Sequence, residues 1–198
     1  MTNALIVVDM QLDFCPGGRL AVAGGDQIVA PINAMMDDFQ TVVLTQDWHP
    51  ADHASFADNH PGAAPFSVTQ MPYGAQVLWP RHCVIGSDGA GFHPGLRQDR
   101  ADLVIRKGSN PAIDSYSAFF DNDHRSATGL AGYLRDRGIS DLTFVGLAHD
   151  FCVAWSAMDA ARLGFNASVA EAACRAIDLD GSLSRARHDM RATGVTLT

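Results

Sequence analysis

Residues 142–165 read LTFVGLAHDFCVAWSAMDAARLGF, and this stretch decides the fold. Its first five residues, 142–146, form a short apolar run typical of a buried strand, and residues 151–164 carry apolar positions at helical spacing. The turn between them leads into Cys152 near the start of the predicted helix. A strand joined to a helix by a short turn is the repeating unit of a parallel α/β sheet.

The same alternation of apolar runs and helical segments extends along the whole chain. Continuous apolar runs are typical of strands covered on both faces, and intervening helices imply right-handed crossovers in a doubly wound sheet. We expect one α/β domain over residues 1–198: a parallel sheet with helices on both faces, in three Rossmann-like layers. The predicted strands are residues 4–8, 41–45, 102–106, 142–146, 167–170 and, more weakly, 195–198; the predicted helices are residues 26–39, 128–138, 151–164 and 182–192.

Residues 47–101 interrupt this alternation. They are rich in His, Pro and Gly and have little regular pattern. Long irregular connections are usually functional or disordered, and the Trp, Phe and His content speaks against disorder. We therefore expect an ordered insertion that builds a pocket and a metal site.

The composition argues against several classes of function. The 198 residues include 14 Lys and Arg against 22 Asp and Glu, a net charge of −8, whereas nucleic-acid binding needs a basic patch. No apolar run has the length of a membrane span, and the first residues lack a signal-peptide pattern. The four cysteines are far apart, which indicates reduced thiols. We expect a cytoplasmic protein with neither a nucleic-acid nor a membrane partner.

Chemically capable side chains follow four of the predicted strands. Asp9, Asp47 and Lys107 come just past three strands, and Cys152 follows a fourth after the turn. Ligands of open α/β sheets bind at the carboxyl ends of the strands, so these groups should converge. Singly, they could be a turn residue, a helix cap, a solvated charge and a buried structural thiol. Together they indicate a catalytic site.

This set of side chains fits acyl transfer. A helix N-terminus would favour the Cys152 thiolate, which would attack a carbonyl carbon and form a thioester that water hydrolyses. Asp9 would take the thiol proton and return it to the leaving amine, with Lys107 favouring both anions. The N–H groups of Ala148 and Cys152 are candidate oxyanion donors. A phosphoryl-acceptor role for Asp9 is weakened by Gln11, because such sites gather further carboxylates.

A second cluster predicts a metal site. Asp47 and His49 are two residues apart and would point the same way from extended backbone, His53 follows, and His82 lies in WPRHC. Imidazoles with one carboxylate suit Zn, Fe or Mn. Chance clustering in a histidine-rich loop is the competing interpretation. The remaining histidines have no such partners and are interpreted as surface or structural residues: His60, His93, His124 and His188.

Several separated motifs, in the same order, resemble those of the nicotinamidases within the isochorismatase-like cysteine hydrolases. The resemblance implies a parallel sheet with flanking helices, hydrolysis of nicotinamide to nicotinate and ammonia, and activity on pyrazinamide. The motifs are ALIVVDMQLDFCPGG (4–18), TQDWHPADHASF (45–56), WPRHCVIG (79–86), RKGSNPAIDSYSAFFDN (106–122), GLAHDFCV (146–153) and EAACRAID (171–178).

The resemblance also implies roles for individual residues. His53 matches a histidine that joins the metal in some members only, and the single divalent ion holds the pyridine nitrogen. Leu147–Ala148 matches a cis peptide that aims an N–H at the oxyanion. The catalytic trio falls on Asp9, Lys107 and Cys152, the metal ligands on Asp47, His49 and His82, the aromatics flanking the ring on Phe14 and Trp79, and a pocket wall on Tyr116.

One position departs from the family pattern G-x-A-T-D-x-C-V, because His149 occupies the threonine position. We interpret His149 as tolerated variation without a catalytic role. Two alternative functions remain: another amidohydrolase or ether hydrolase of this fold, acting for example on carbamoyl or ureido substrates, and a non-catalytic binding module. The first generally lacks the predicted metal ligands, and the second gives no reason to retain the catalytic trio.

Overall fold

The structure, a computed structural model, describes residues 2–198 and is built around strands and helices that alternate along the chain. The strands are β1 (Asn3–Val8), β2 (Thr41–Asp47), β3 (Val68–Met71), β4 (Gly74–Val77), β5 (Leu103–Lys107), β6 (Asp141–Leu147), β7 (Asn166–Arg175) and β8 (Thr196–Leu197). The α-helices are α1 (Val29–Met35), α2 (Leu130–Asp136), α3 (Ala154–Arg162) and α4 (Ser182–Ala192). Six strands form one parallel sheet in the order β5-β2-β1-β6-β7-β8, and helices flank it. The predicted fold class is confirmed.

The centre of the sheet is β1, which pairs with β2 on one side and β6 on the other. Its residues from Ala4 to Val8 are at most 1% exposed. A strand covered on both faces needs an apolar residue at every position, which explains the uninterrupted run ALIVV. At the edge, β5 alternates in exposure, and Val104 is 45% exposed.

Two predicted elements differ from the structure in extent. β7 runs to Arg175 instead of ending at residue 170, because its pairing with β6 shifts register between Phe144 and Gly146 and then resumes. Such a bulge leaves no periodic signal in the sequence. Within the predicted helix 26–39, only α1 is α-helical, and a 3₁₀ turn lies on each side of it. Pro31 has no N–H to donate to the carbonyl four residues earlier.

The insertion at residues 47–101 contains an antiparallel hairpin, β3–β4, that the sequence analysis missed. Its strands have four residues each, too few for a clear alternation of apolar and polar positions. Isolated bridges pair His49 with Val84 and Phe56 with Trp79, so segments of the insertion are held to one another. Within residues 2–198, no helix has the length and apolar character that crossing a bilayer requires.

The carboxyl ends of β5, β2, β1 and β6 are neighbours in the sheet. Asp47 lies opposite Lys107, and Val8 lies opposite Gly146. Gly146 has φ 115°, and a Cβ there would come within 2.1 Å of the Val8 carbonyl oxygen. Only glycine therefore permits this approach of β1 and β6, at the edge where Asp9 follows β1.

Candidate functional site

The structure brings Asp9, Lys107 and Cys152 together at the carboxyl edge of the sheet. Lys107 Nζ lies 2.9 Å from Asp9 Oδ2 and 3.4 Å from Cys152 Sγ. An Asp9 carboxylate oxygen and Cys152 Sγ lie within 4.8 Å of each other. All three residues are at most 6% exposed. The Lys107 ammonium thus lies beside the thiol, and carboxylate oxygens of both Asp9 and Asp47 lie within 4.8 Å of its sulfur.

Neighbouring strands hold the Asp9 carboxylate in place. Asp9 has φ 48°, in the left-handed region, which turns the chain sharply at the end of β1. Thr45 on β2 donates its hydroxyl to Asp9 Oδ1 at 2.5 Å and accepts the Asp9 N–H at 3.1 Å. Lys107 in turn donates to the Ser115 carbonyl at 2.9 Å. Both charged groups are therefore fixed before any ligand binds.

Burial sets the protonation of these groups. It raises the pKa of the Cys152 thiol well above its usual value; Lys107 opposes this, and Asp9 adds to it. Burial also raises the pKa of Asp9, although Lys107 lowers it. For Lys107, burial would lower the pKa, but Asp47 and Asp9 outweigh it and raise the pKa well above its usual value. Burial therefore favours the neutral thiol of Cys152, whereas the sequence predicted a thiolate stabilised by a helix N-terminus.

Cys152 lies in a five-residue π-helical turn, His149–Val153, between β6 and α3. The predicted helix start at residue 151 lies within this turn, and the α-helical part, α3, begins at Ala154. The Ala148 carbonyl accepts the N–H groups of both Phe151 and Val153, each at 3.1 Å, which closes this wide turn. The peptide bond Leu147–Ala148 is cis.

Asp150 anchors this turn to the chain that follows β7. Its carboxylate accepts the N–H groups of Ile177 at 3.0 Å and Asp178 at 2.8 Å, and the hydroxyl of Ser182 at 2.5 Å. Three hydrogen bonds to one buried carboxylate restrict the turn. The position of Cys152 thus depends on contacts from a second part of the chain.

Asp47, His49 and His82 form a buried group of potential metal ligands whose ligand atoms lie within 4.8 Å of one another. His49 Nε2 is 3.5 Å and His82 Nε2 is 3.8 Å from Asp47 Oδ2. The Nδ1 atoms contact carbonyl oxygens of Gly108 at 2.9 Å and Pro80 at 2.7 Å. A carbonyl only accepts, so each Nδ1 carries a proton, and Nε2 is the ring nitrogen of each histidine that is placed to bind a metal ion. Two oriented imidazoles and one carboxylate fit a divalent metal ion.

His53 belongs to a neighbouring group with His49 and Asp114. Its Nδ1 lies 2.7 Å from the Ser55 hydroxyl oxygen, and its buried Nε2 has no hydrogen-bond partner among residues 2–198. Burial, with a contribution from His49, lowers the pKa of His53 to about 4. His53 is thus a neutral imidazole beside the predicted ligand set and outside the group formed by Asp47, His49 and His82.

A cavity lies between Cys152 and two of the potential metal ligands. Cys152 and Ala148 line it on one side, and Asp47 and His82 line it on another. The remaining lining residues are Phe14, Leu20, Trp79, Asp114, Tyr116, Phe151 and Ile177. A planar apolar ring bearing a carboxamide matches this combination of aromatic walls, a thiol and metal ligands. A larger cleft of about 330 Å³ lies beyond Phe151 and contains none of the predicted catalytic or metal residues.

Sequence reasoning missed two buried polar residues that support the site. Gln11 accepts the Asp47 N–H at 2.8 Å and donates to the Asp47 carbonyl at 2.9 Å, so it fixes the end of β2. Asp13 accepts the Cys83 N–H at 2.7 Å and so holds the segment that carries His82. The spacing D-x-Q-x-D at residues 9–13 was the available signal, but its meaning depends on tertiary contacts.

His149 does not line this cavity. Its Nε2 lies 3.6 Å from Glu171, which also pairs with Arg187 at 2.6 Å. The imidazole thus lies against charged groups of β7 and α4, although its backbone adjoins Ala148. This placement supports the interpretation of His149 as a non-catalytic variation.

Comparisons with known proteins agree with this geometry. Residues 3–198 match the isochorismatase domain family. A nicotinamidase from Acinetobacter baylyi is 56% identical over 192 residues, which cover 97% of this chain and 90% of that protein. A solved structure of an Acinetobacter baumanii nicotinamidase and pyrazinamidase superposes with a TM-score of 0.98 at 54% identity, covering 99% and 95% of the two chains.

A more distant solved structure is described as containing zinc. It is the pyrazinamidase of Pyrococcus horikoshii, which is 34% identical with a TM-score of 0.81, and the match covers 100% of this chain and 99% of that one. Nearly full coverage in each comparison, together with the family match, shows that this chain is a member of the isochorismatase family.

Proposed function

We propose that this chain hydrolyses nicotinamide to nicotinate and ammonia through a thioester on Cys152. The observation that carries the proposal is the single cavity in which a thiol flanked by Asp9 and Lys107 faces potential metal ligands between aromatic walls. The similarity to nicotinamidases over nearly the whole chain supports it. Pyrazinamide, a carboxamide on a similar aromatic ring, is a second substrate.

The first half-reaction uses the contacts around Cys152. Asp9 takes the Sγ proton as sulfur attacks the carboxamide carbon. The oxyanion that forms on the carboxamide oxygen accepts hydrogen bonds from the backbone N–H groups of Ala148 and Cys152. The tetrahedral intermediate collapses, the C–N bond breaks, and the nitrogen receives the proton from Asp9. Ammonia leaves and the acyl group remains on sulfur.

The second half-reaction reverses the proton flow. Asp9 removes a proton from a water molecule as the water oxygen attacks the thioester carbon. The C–S bond then breaks, and Asp9 returns the proton to the Cys152 sulfur. The acid product loses its proton to solvent, where the released ammonia can take it, and leaves as nicotinate. Lys107 stays charged throughout and holds Asp9 in place, which keeps a buried carboxylate available as base.

A divalent ion held by Asp47, His49 and His82 would bind the pyridine nitrogen, directly or through water, and so orient the ring. Zinc, iron and manganese all accept this donor set. We take zinc as the ion to test first, because the P. horikoshii relative is described in complex with zinc. The ion positions the substrate and is separate from the nucleophile.

The test is ammonia release from nicotinamide by the reduced protein, before and after chelation and after metal is restored. Release that chelation lowers and metal restores would support both the reaction and the metal's role. Release unchanged after verified metal removal would retain the amidase and contradict the metal site. No release from metal-loaded protein would contradict the proposal and direct the assay to carbamoyl and ureido substrates.

A further inference from the structure

Gln76 on β4 is a buried amide at the centre of a hydrogen-bond network beside the cavity. It is 1% exposed. Its Nε2 lies within hydrogen-bond distance of three acceptors: Asp114 Oδ2 at 2.7 Å, the Val77 carbonyl oxygen at 2.7 Å and Tyr116 Oη at 3.0 Å. Its Oε1 accepts from Asn122 Nδ2 at 3.3 Å and from the Tyr73 hydroxyl at 3.2 Å. One side chain therefore joins the hairpin to the irregular segment after β5.

Two partners of Gln76, Asp114 and Tyr116, line the cavity, whereas Gln76 itself does not. Tyr116 Oη also accepts the indole N–H of Trp79 at 3.1 Å. The hydroxyl of Tyr116 is thus held by two donors, one of which is the other aromatic wall. Gln76 fixes Asp114 and Tyr116 directly, and Trp79 through Tyr116.

Backbone hydrogen bonds hold Trp79 to Ser55 at 2.7 Å and to Ala57 at 2.9 Å, but they leave the positions of the two aromatic rings to side-chain contacts. Lys107 ends a strand and Asp9 directly follows one, whereas Trp79 and Tyr116 lie outside the helices and the main sheet. Side chains on irregular segments depend on buried hydrogen bonds for a unique position. An amide that loses its partners there leaves several buried polar groups unsatisfied.

We propose that Gln76 is a positioning residue that sets the separation of the aromatic walls and thereby the affinity for the substrate ring. The inference rests on the proposed hydrolysis of nicotinamide. Gln76 contacts none of Asp9, Lys107 and Cys152 through the hydrogen bonds described, so its effect falls on ring binding and not on the reactivity of the thiol.

The experiment compares Gln76→Met with Gln70→Met. Both change the same residue type on the same hairpin, but Gln70 is exposed. The measurements are kcat and KM for nicotinamide and the rate at which iodoacetamide, a reagent that needs no ring site, alkylates Cys152. We expect KM to rise roughly 5- to 10-fold in Gln76→Met, about the effect of one lost hydrogen bond, with alkylation within about twofold of the parent. Gln70→Met should match the parent in all three.

Two results would overturn the inference. KM within about twofold of the parent in folded Gln76→Met would show that the network does not set ring binding. Alkylation falling in step with kcat/KM would show a general loss of structure instead. If the metal-loaded parent released no ammonia while Cys152 was still alkylated at a normal rate, the proposed hydrolysis itself would be wrong. That outcome is distinct from a failure of the role of Gln76, in which the parent hydrolyses nicotinamide and the variant has the same KM.

Tyr116→Phe tests the same hydrogen bonds from the other end, and it suffices if Gln76→Met does not fold. It removes Oη and should also raise KM. In the double variant the two effects should be less than multiplicative, because both remove one shared contact. Multiplicative effects, or an unchanged KM in Tyr116→Phe, would contradict a role of Gln76 through Tyr116.

Discussion

Cys152 differs from Cys15 and Cys174 in its neighbours. Burial raises the pKa of Cys15 to about 11 and of Cys174 to about 12, and neither has an ammonium at the distance that separates Lys107 from Cys152. We predict that Cys152→Ala lowers kcat/KM by at least about 10⁴-fold, since the nucleophile is gone, while folding and metal content are retained. Cys174→Ala is the matched control and should retain turnover. Ammonia release decides, and turnover by Cys152→Ala would refute the assignment of the nucleophile.

His149 should matter for stability at low pH and not for catalysis. Burial lowers the pKa of its imidazole in the folded protein, although Glu171 opposes this. The unfolded chain has the ordinary histidine pKa of about 6.5, so between the two pKa values it binds more protons than the folded protein does. The contribution of His149 to the free energy of unfolding is therefore present above about pH 6.5 and is lost as pH falls. We therefore predict that the melting temperature of His149→Thr minus that of the parent is larger at about pH 5.5 than at about pH 7.5. Its pH–activity profile should match the parent's, and a shifted profile would give His149 a catalytic role.

At the scale of elements, the turn after β5 supports His49, one of the proposed metal ligands, through Gly108. Gly108 has φ 69°, and a Cβ there would lie 2.4 Å from the His49 ring. Gly138 has a similar φ of 66° but open space around a Cβ. Both alanine variants incur left-handed backbone strain of about 1–2 kcal/mol, and only Gly108→Ala displaces His49. We predict weaker zinc binding in Gly108→Ala by about 10-fold or more and unchanged zinc affinity in Gly138→Ala, measured by competition with a chelator; equal affinities would contradict the role of this turn.

The elements also show what the sequence could predict. Strand ends were visible as apolar runs, so Asp9, Asp47 and Lys107 could be placed at one edge without a structure. The hairpin β3–β4 could not, because four-residue strands give no clear alternation, and with it Gln76 was missed. Trp79 and Tyr116 were assigned by resemblance alone, since their positions depend on tertiary hydrogen bonds that no local pattern encodes.

Across the whole molecule, two differently built regions meet at the cavity. The parallel sheet supplies Asp9, Lys107 and Asp47 from strand ends, whereas the insertion supplies His49 and His82 from irregular backbone. A metal bound to Asp47 and both histidines would therefore tie the insertion to the sheet. Such a ligand should stabilise the folded protein as a whole, because the three ligands come together only in the folded chain.

We predict that metal raises the melting temperature by roughly 5–11 °C when free metal is about 100-fold above its Kd. Binding at that excess contributes about 2.7 kcal/mol, and a domain of this size shifts by about 2–4 °C per kcal/mol. Scanning calorimetry of chelated and zinc-restored protein measures the shift. His82→Ala should abolish most of it, whereas His188→Ala, at an exposed histidine outside the site, should retain it. An equal shift in both variants would place the stabilising metal away from Asp47, His49 and His82.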